Sequence, residues 1–332
     1  MVLLWFCAFL SPYINPQTFS LGAILAIGYP ILLLTHSFFI VYWLVRFNKV
    51  IYLSVSVLLL SYFFSVPVFQ TKSKFKALAK DNSFSTLTFN SQLFYFGGGQ
   101  KEEVRAHQSK IAHFLKQENV DVLCLQEARE SIASSLNYPY QSINGFNHIY
   151  SKYEIVNSGE IIFSESSTNQ SCYADMLVHY DTIRVYNLHL ESLHLGNEDY
   201  ALLKEWDEDS QEDEFKNKTQ KISNKINKAT SIRVNQVETI IESIKDSPYP
   251  TLLSGDFNDV PQSYIYRRLN EGHKDAFLES GKGFGATYRQ LIFPFRIDYI
   301  LADKIWSAYN FEVLDEKLSD HQAIRCDVEI ND

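Results

Sequence analysis

Polar residues of the types that hydrolyse phosphate esters recur at the ends of apolar segments along this 332-residue sequence. They are Asn90 after STLTF, Glu127 after VDVLCLQ, His189 in RVYNLHL, Asp256 and Asn258 in LLSGDFND, Asp298 in FRIDYIL, and Asp320 with His321 in LSDHQAI. Hydrolysis of a phosphate ester requires neutralised phosphate charge, a water aimed in line, and a stabilised departing oxygen. Carboxylates for a hard cation, amides for positioning and a histidine for proton transfer meet these needs.

Short apolar segments position these polar residues, and their lengths and compositions predict β-strands buried on both faces. The predicted strands are 85–89, 120–125, 161–163, 176–179, 183–190, 251–254, 296–301 and 323–328, and the predicted helices are 101–117 and 232–244. Many strands with few helices indicate an α/β sandwich of two packed sheets. Polar residues from separate strand ends would then converge along one edge of those sheets.

Residues 197–228 are strongly charged, acidic first and basic afterwards. Blocks of like charge are usually solvated, so this stretch is predicted to be a solvated loop that leads into the helix at 232–244, rather than a dedicated binding segment.

The N-terminal part of the chain is apolar enough to enter a membrane. Residues 21–44 contain no charged side chain apart from a titratable His36, and residues 50–69 contain none. Each segment reaches the roughly 20 residues that a membrane-spanning helix needs, and residues 1–14 are a shorter third candidate. A basic run follows, with Lys72, Lys74, Lys76 and Lys80. The predicted organisation is a transmembrane anchor at 1–70, a basic linker at 71–85 and a catalytic domain at 86–332.

The positions of the basic residues bear on membrane orientation. Arg46 and Lys49 lie between the two long apolar segments, and the positive-inside rule places them in the cytoplasm. The lysines at 72–80 argue for the reverse orientation. The first signal is preferred, which predicts an integral protein of a bacterial-type inner membrane with an extracytoplasmic catalytic domain.

Charge and cysteine content exclude some classes of function. The formal net charge of -9 argues against a surface that binds nucleic acid by bulk electrostatics. The four cysteines have no CxxC spacing, so neither a zinc site nor a disulfide framework is indicated.

The elements QE, GDFN and SDH, in this order, resemble the endonuclease/exonuclease/phosphatase superfamily over about residues 86–330. That superfamily includes deoxyribonuclease-like nucleases, apurinic endonucleases, neutral sphingomyelinases and inositol-polyphosphate 5-phosphatases. The resemblance implies a four-layered α/β sandwich, in which two mixed sheets are flanked by helices, and Mg²⁺ as the metal with Mn²⁺ as an alternative.

The resemblance also implies a metal site. Glu127 matches the metal-binding glutamate of the family, Asp320 a second carboxylate on the metal side, and Asn90 an asparagine that supports the metal or the phosphate. The chain departs from the N-x-D pattern of apurinic enzymes because Gln92 stands where they have aspartate.

The catalytic residues follow from the same resemblance. Asp256 and Asn258 match a pair that orients the attacking water and binds a phosphate oxygen. His321 matches a phosphate-facing histidine, and Asp298 the carboxylate that orients it and favours its protonated form. His189 either donates a proton to the leaving oxygen or holds the phosphate. Apurinic endonucleases have asparagine at this position, so the resemblance to that branch is set aside.

Specificity is less determined. Arg267, Arg289 and Arg296 are predicted to grip a second phosphate or an anionic headgroup. The leading hypothesis is a membrane-tethered phosphoesterase that acts on a lipid headgroup, a nucleotide or a nucleic-acid fragment. A general endonuclease of the same superfamily is the runner-up, and a catalytically silent binding or scaffold protein with this fold is the alternative from another class.

Overall fold

The computed structural model describes residues 1–71, 74–77, 81–94, 101–163, 167, 169–194, 212–290 and 295–330. These residues form two compact units. The first comprises Met1–Phe69, Leu193–Val237 and Asp259–Glu271, and the second comprises Gln70–Ser192, Glu238–Asn258 and Gly272–Asp332. Lys72 and Lys80 of the predicted linker, and the acidic residues at 205–209, lie outside the described residues. The predicted division at residues 70 and 86 stays a prediction.

The helices are α1 (Val2–Leu10), α2 (Leu21–Val45), α3 (Ile51–Phe64), α4 (Lys101–Glu118), α5 (Ala133–Leu136), α6 (Glu212–Lys245), α7 (Tyr264–Asn270) and α8 (Ala276–Ser280). The strands are β1 (Ser83–Asn90), β2 (Val122–Gln126), β3 (Tyr140–Asn144), β4 (Asn147–Ser151), β5 (Glu154–Ile161), β6 (Ser171–Val178), β7 (Asp181–His189), β8 (Thr251–Asp256), β9 (His273–Asp275), β10 (Asp298–Asp303), β11 (Ser307–Val313) and β12 (Ile324–Glu329). Short 3₁₀ turns occur at Ser11–Tyr13, Gln92–Phe94 and Glu130–Ile132.

Within the described residues, α2 is the one helix long and apolar enough to cross a membrane. The apolar segment 50–69 does not match the length predicted for it, because α3 has 14 residues and ends before the extended Ser65. Pro67 follows two residues later and cannot continue the helical hydrogen-bond ladder. Among the described residues the structure therefore has one apolar helix of spanning length where the sequence predicts two.

Buried polar pairs join the three apolar helices of the first unit. Trp5 Nε1 donates to Ser61 Oγ at 2.9 Å, and the hydroxyls of Tyr29 and Ser65 lie 2.6 Å apart. Trp5 and Tyr29 also belong to a small apolar core with Val57. These hydrogen bonds offset the free-energy cost of burying the polar groups. Helices α2 and α3 also leave many large apolar side chains exposed, among them Leu34, Phe38, Val41, Leu44, Tyr52, Leu53, Leu59 and Phe63.

The second unit contains two mixed six-stranded sheets, in the orders β11-β12-β1-β2-β4-β3 and β5-β6-β7-β8-β10-β9. The pairs β1–β2 and β7–β8 are parallel, and the other pairs are antiparallel. Apolar residues from both sheets, such as Val122, Cys124, Val185 and Leu252, share one buried core. The predicted sandwich of two mixed sheets with flanking helices is confirmed.

The charged stretch before 232 is helical from Glu212 onward, which corrects the prediction of a loop. Ile222, Ile226 and Ala229 are buried at helical spacing within it. Their positions are four and three apart, the spacing of one helical face. One face of α6 is therefore apolar although charged residues dominate the local composition.

Several strand predictions also need correction. A strand is expected at 161–163, but the strand in this region, β5, runs from Glu154 to Ile161 and so shares only Ile161 with the prediction. Strands β3, β4, β9 and β11 were not predicted, because polar residues interrupt their apolar positions. The strand expected at 296–301 begins at Asp298, two residues later than predicted.

Gly255 occupies a position in β8 where a side chain has no room. Its φ is +140°, and a Cβ there would lie 2.0 Å from the carbonyl oxygen of Leu188 on β7. We expect Gly255→Ala to lower the free energy of unfolding by more than about 3 kcal/mol, because the parallel pairing of β7 and β8 would have to open.

Gly272 supplies the matched control. Its φ is +87°, but among the described residues no atom lies within 4 Å of a Cβ built there. Gly272→Ala is therefore expected to cost only the backbone term of about 1–2 kcal/mol. Denaturant titration followed by circular dichroism compares the two variants, and equal losses would contradict the steric argument.

Candidate active site

Strand ends bring the polar residues of the first sheet to one edge. In the parallel pair β1–β2, Asn90 lies opposite Gln126, the residue before Glu127. Asn90 Nδ2 donates to Glu127 Oε1 at 3.3 Å. The parallel register therefore places the predicted amide and the predicted carboxylate side by side.

The second sheet contributes three neighbouring residues at the same level. His189 at the end of β7 lies opposite Asp256 at the end of β8, and Asp298 at the start of β10 lies opposite Asp256 on its other side. All three are buried. The antiparallel β10 must therefore begin where β8 ends, which explains why Asp298 is the first residue of its strand and Asp256 the last residue of its own.

One carboxylate oxygen, Asp256 Oδ2, is the meeting point of the site. Asn90 Nδ2 donates to it at 3.0 Å and Asn258 Nδ2 at 3.3 Å. His321 Nε2 lies 3.7 Å from it and His189 Nε2 3.8 Å. Four side chains from separate segments thus surround a single oxygen atom.

Burial raises the pKa of Asp256 to about 6, and the neighbouring charge of Asp298 acts in the same direction while that of His321 opposes it. The backbone N–H of Asn258 donates to the other carboxylate oxygen at 2.8 Å. Asn258 adopts a left-handed φ of 52°, and Glu127 one of 49°. Such conformations are uncommon for residues other than glycine and concentrate at functional sites.

His321 and Asp298 form a buried hydrogen-bonded pair. Asp298 Oδ2 lies 3.0 Å from His321 Nδ1, and the edge-on ring of Tyr288 packs 5.0 Å from the imidazole, measured between ring centroids. Burial alone would lower the pKa of His321, but the charges of Asp298 and Asp256 raise it to about 10. Asp298 therefore holds the proton on Nδ1 and leaves Nε2–H directed toward Asp256.

Two groups of side chains could hold a metal ion. The first is Asp256, Asp298 and His321, which are buried and offer ligand atoms that all lie within 4.8 Å of one another. The second is the predicted set of Asn90, Glu127 and Asp320, which offers hard oxygen ligands.

Gln92 adjoins the second group, although the sequence does not predict it as a ligand. Its Nε2 donates to Asp320 Oδ2 at 3.3 Å, while its buried Oε1 has no hydrogen-bond partner in the described part of the chain. A buried amide oxygen without a partner, on a side chain that contacts Asp320, is of the type that can serve as a neutral ligand to a divalent cation. Asn90 turns its NH₂ group toward Glu127 and Asp256, and its Oδ1 accepts the N–H of Gln92 at 3.0 Å. Metal binding by Asn90 stays a prediction.

Asn169, which the sequence did not single out, contacts His189. Asn169 Nδ2 lies 2.7 Å from His189 Nε2 and donates to the carbonyl of Leu190 at 2.8 Å. A carbonyl oxygen only accepts, so the atom of Asn169 that contacts Leu190 is the NH₂ nitrogen. The same NH₂ group donates to His189 Nε2, which therefore carries no proton. Burial lowers the pKa of His189 as well. No motif marks Asn169, and its proximity follows from the pairing of Ser171 with Leu188 on the adjacent strands.

The three predicted substrate-binding arginines have different surroundings. Arg296 is buried, pairs with Asp275 at 2.6 Å and stacks on Phe277. Arg289 forms an ion pair with the exposed Asp315, and its backbone N–H donates to the carbonyl of Asp320 at 3.0 Å. Arg267 belongs to the first unit. Arg289 is thus the one joined directly to a predicted site residue, and substrate binding by all three stays a prediction.

Comparison with sequence families gives two matches. Residues 87–321 match the model of the Endonuclease/Exonuclease/phosphatase family, and residues 1–67 match that of a domain of unknown function, DUF8431. No curated protein matches the chain in sequence.

Solved structures resemble the fold at low sequence identity. A family protein from Bacteroides thetaiotaomicron has 14% identity and a TM-score of 0.52, over 75% of this chain and 98% of that one. TDP2 of D. rerio, humanised by 14 mutations, has 16% identity and a TM-score of 0.52, over 74% and 99%. A mannosyl-6-phosphatase of Bacteroides thetaiotaomicron has 14% identity and a TM-score of 0.52, over 74% and 99%. These likenesses support the fold alone.

Proposed function

Because the chain belongs to the endonuclease/exonuclease/phosphatase family, whose members are metal-dependent phosphoesterases, we propose that it is a membrane-anchored phosphoesterase that hydrolyses phosphate esters of lipid headgroups. The observation that carries the hydrolytic part is the convergence of two histidines and two asparagine amides on Asp256 Oδ2. Such a cluster serves a reacting phosphate and water better than it serves packing, since buried polar groups of this density are costly to maintain.

Asp256 is proposed to orient and deprotonate the attacking water. Its pKa of about 6 lies close to neutral pH, where a general base works best. Asn258 fixes one of its oxygens through the backbone N–H at 2.8 Å. The side-chain amide of Asn258 donates to the carbonyl of Leu190 at 2.9 Å and to Asp256 Oδ2 at 3.3 Å. It is proposed to exchange the longer of these bonds for one to a phosphate oxygen.

The two histidines are proposed to have opposite protonation states. His321 is charged and donates through Nε2 to a phosphate oxygen, with Asp298 holding its other nitrogen. His189 is neutral, because Asn169 donates toward its Nε2. Donation of a proton by His189 to a leaving oxygen would first require its protonation, which burial disfavours.

A divalent cation, when bound, supplies Lewis-acid stabilisation of the charge that develops on the phosphate. Glu127 and Asp320 would hold it, with Gln92 Oε1 as a neutral oxygen ligand. We favour this group over Asp256, Asp298 and His321 because all of its ligand atoms are oxygens, whereas in the other group Asp298 is already engaged in a hydrogen bond with His321 Nδ1 at 3.0 Å. Mg²⁺ and Mn²⁺ suit such oxygen ligands.

The lipid substrate rests on the anchor, which would confine the enzyme near bilayer phosphates. A mannosyl-6-phosphatase is among the structures of the same fold, and the family name covers nucleases as well as phosphatases, so monoester and diester substrates both remain in the proposal. A nuclease is the second candidate, and the net charge of -9 argues against it as a binder of nucleic acid. A silent scaffold fits less well, because each predicted catalytic position has a competent side chain.

We expect the full chain to stay in the bilayer fraction after a carbonate wash, since α2 has 25 residues without a charged side chain. Residues 1–67 match a family model of their own, which supports a separate anchor. Cysteines introduced after α3 and tested with an impermeant thiol reagent would report the orientation, and an extracytoplasmic domain predicts labelling in intact cells. Release of the chain into the wash supernatant would contradict the anchor.

The hydrolytic proposal is tested on the full chain purified in detergent with Mg²⁺. Phospholipids, p-nitrophenyl phosphate, bis-p-nitrophenyl phosphate and plasmid DNA are supplied in parallel to wild type and to Asp256→Asn. The proposal predicts release of phosphate or of a phosphorylated headgroup from lipid by wild type alone. Activity confined to DNA would favour the nuclease, and activity retained by Asp256→Asn would contradict the assigned base.

A further inference from the structure

The first unit contains a cavity of about 220 Å³ that the proposed hydrolysis does not use. Residues from the end of α1, from α2, from the end of α3 and from the segment after the GDFN motif line it. All of them belong to this one unit. Tyr29 lies eight residues into α2, about 12 Å from the start of that helix, so the cavity lies where α2 begins and α3 ends.

The walls of the cavity are mainly aromatic and aliphatic, with Phe9, Tyr29, Phe64 and Tyr266 among them. The hydroxyl of Tyr29 already pairs with that of Ser65 at 2.6 Å, and Gln262 Nε2 donates to the carbonyl of Val66 at 3.1 Å. The polar groups of Tyr29, Ser65 and Gln262 are thus paired within the wall, whereas the buried Oδ1 of Asn270 has no hydrogen-bond partner among the described residues. The cavity therefore offers a mainly apolar surface to an occupant.

One cation and one anion stand at the cavity lining. Arg267 lies over the ring of Tyr13, 4.6 Å from its centroid, and its Nη1 is 3.2 Å from Glu271 Oε1. Glu271 also accepts from Arg268 Nη1 at 2.5 Å through its other oxygen. The side chains of Arg267 and Glu271 are 40% and 47% exposed, so their ion pair is a surface pair that a ligand can exchange. A guanidinium binds phosphate oxygens in a bidentate manner, and a carboxylate binds an ammonium group.

Size restricts the class of occupant. The cavity is smaller than the roughly 300–1,000 Å³ of sites that enclose a small-molecule ligand, so most of its occupant must lie outside. The neighbouring helices expose large apolar side chains, such as Leu34 and Phe38 of α2 and Phe63 of α3. The occupant should therefore have a long apolar chain that extends beyond the cavity along these apolar helices. It should also carry two adjacent groups of opposite charge, to pair with Arg267 and Glu271.

We propose that this cavity binds one zwitterionic phospholipid, with part of an acyl chain between the aromatic walls, the phosphate on Arg267 and the ammonium group on Glu271. The inference rests on the proposed membrane anchor and not on the proposed hydrolysis, because none of the lining residues belongs to the Asp256 cluster. It assigns the segment after GDFN a lipid-holding role.

The test uses the full chain purified in mild detergent and exchanged into nanodiscs containing equal amounts of phosphatidylethanolamine and phosphatidylglycerol. After transfer back to detergent and washing, the retained lipid is identified by native mass spectrometry. Wild type is expected to retain about one phosphatidylethanolamine per chain. Arg267→Ala is expected to lower its retention at least about tenfold, the loss typical of one charge-assisted hydrogen bond.

Two further variants sharpen the result. Arg268→Ala is the comparison variant. Arg268 neighbours Arg267 on α7 and also pairs with Glu271 Oε2, but it does not line the cavity, so its loss leaves both proposed lipid ligands in place. It should retain the lipid. Glu271→Gln should lose the preference for phosphatidylethanolamine and admit phosphatidylglycerol. Circular dichroism checks that each variant is folded.

Three outcomes would overturn the proposal: wild type retaining no lipid, equal losses in the Arg267 and Arg268 variants, or retention of phosphatidylglycerol alone. If no lipid is retained by a chain that resists the carbonate wash, the cavity assignment fails and the anchor stands. Release by carbonate would instead remove the anchor on which the assignment depends.

Discussion

Replacing His321 with alanine is expected to lower turnover by about 10²-fold to 10⁴-fold, the range typical of a positioned acid–base group. The imidazole is buried, and its Nδ1 lies 3.0 Å from Asp298 Oδ2. The charges of Asp298 and Asp256 overcome the effect of burial and raise its pKa to about 10, so it is protonated at neutral pH. Alanine would remove the cationic donor that we propose for the phosphate.

A double-mutant cycle separates a coupled pair from two independent residues. If Asp298 acts by holding His321 charged and oriented, Asp298→Asn should cost nearly as much turnover as His321→Ala, and the double variant should cost little more than either single one. Turnover is measured on the full chain in detergent with metal in excess.

His113 provides the control, because it is an exposed histidine on α4, and His113→Ala should leave turnover within about twofold, as surface substitutions remote from a site usually do. Additive losses from the changes at Asp298 and His321 would mean that the two residues act independently.

Chelation with EDTA is expected to abolish turnover, and Mg²⁺ or Mn²⁺ should restore it. Loss of Lewis-acid stabilisation is worth several kcal/mol of transition-state energy, which corresponds to at least about 10²-fold in rate. Full activity in EDTA would contradict a metal-dependent mechanism. Chelation alone does not distinguish between the two groups of side chains that could hold the ion.

Two substitutions make that distinction through the affinity for Mn²⁺, measured by isothermal titration calorimetry without substrate. Glu127→Gln should weaken binding by about 10-fold to 100-fold or more, since even residues that only support a metal ligand have effects of this size. Asp298→Asn should lose turnover but keep its Mn²⁺ affinity within about twofold, because the proposed ion lies on the Glu127 side.

The opposite pattern would relocate the metal. Strong Mn²⁺ binding by Glu127→Gln together with weak binding by Asp298→Asn would place the ion at Asp256, Asp298 and His321, whose ligand atoms lie within 4.8 Å of one another. His321 would then be a ligand and not the cationic donor assigned to it above.

The pairing of Asp298 with His321 was predictable from the sequence although 22 residues lie between them. The chain carries FRIDYIL and LSDHQAI in the order of the family resemblance, with Asp298 at the beginning of β10 and His321 three residues before β12. In contrast, Asn169 was not predictable. It lies in a polar loop without a motif, and its contact with His189 at 2.7 Å arises from the register between β6 and β7.

Helix α6 shows a similar limit in the fold. Charge dominates its first turns, so composition indicates a loop, whereas Ile222, Ile226 and Ala229 are buried along one face. Burial of a helical face depends on what packs against it, and local sequence does not contain that information. Helix α3 is a second example. The apolar composition of 50–69 predicts a helix of spanning length, but the helix ends at Phe64, three residues before Pro67.

By itself, the sequence determined the class of the protein: the apolar N-terminal segment, the alternation of buried strands, and the carboxylates, amides and histidines at strand ends. These are local properties, because hydrophobic period and residue type are set by neighbours along the chain. The tertiary structure alone decided that four side chains meet at Asp256 Oδ2, that Gln92 presents an orphaned oxygen beside Asp320, and that the two histidines differ in protonation. Such features depend on distances of a few ångströms between segments far apart in sequence, and on burial that strengthens charge interactions only once the sheets have packed.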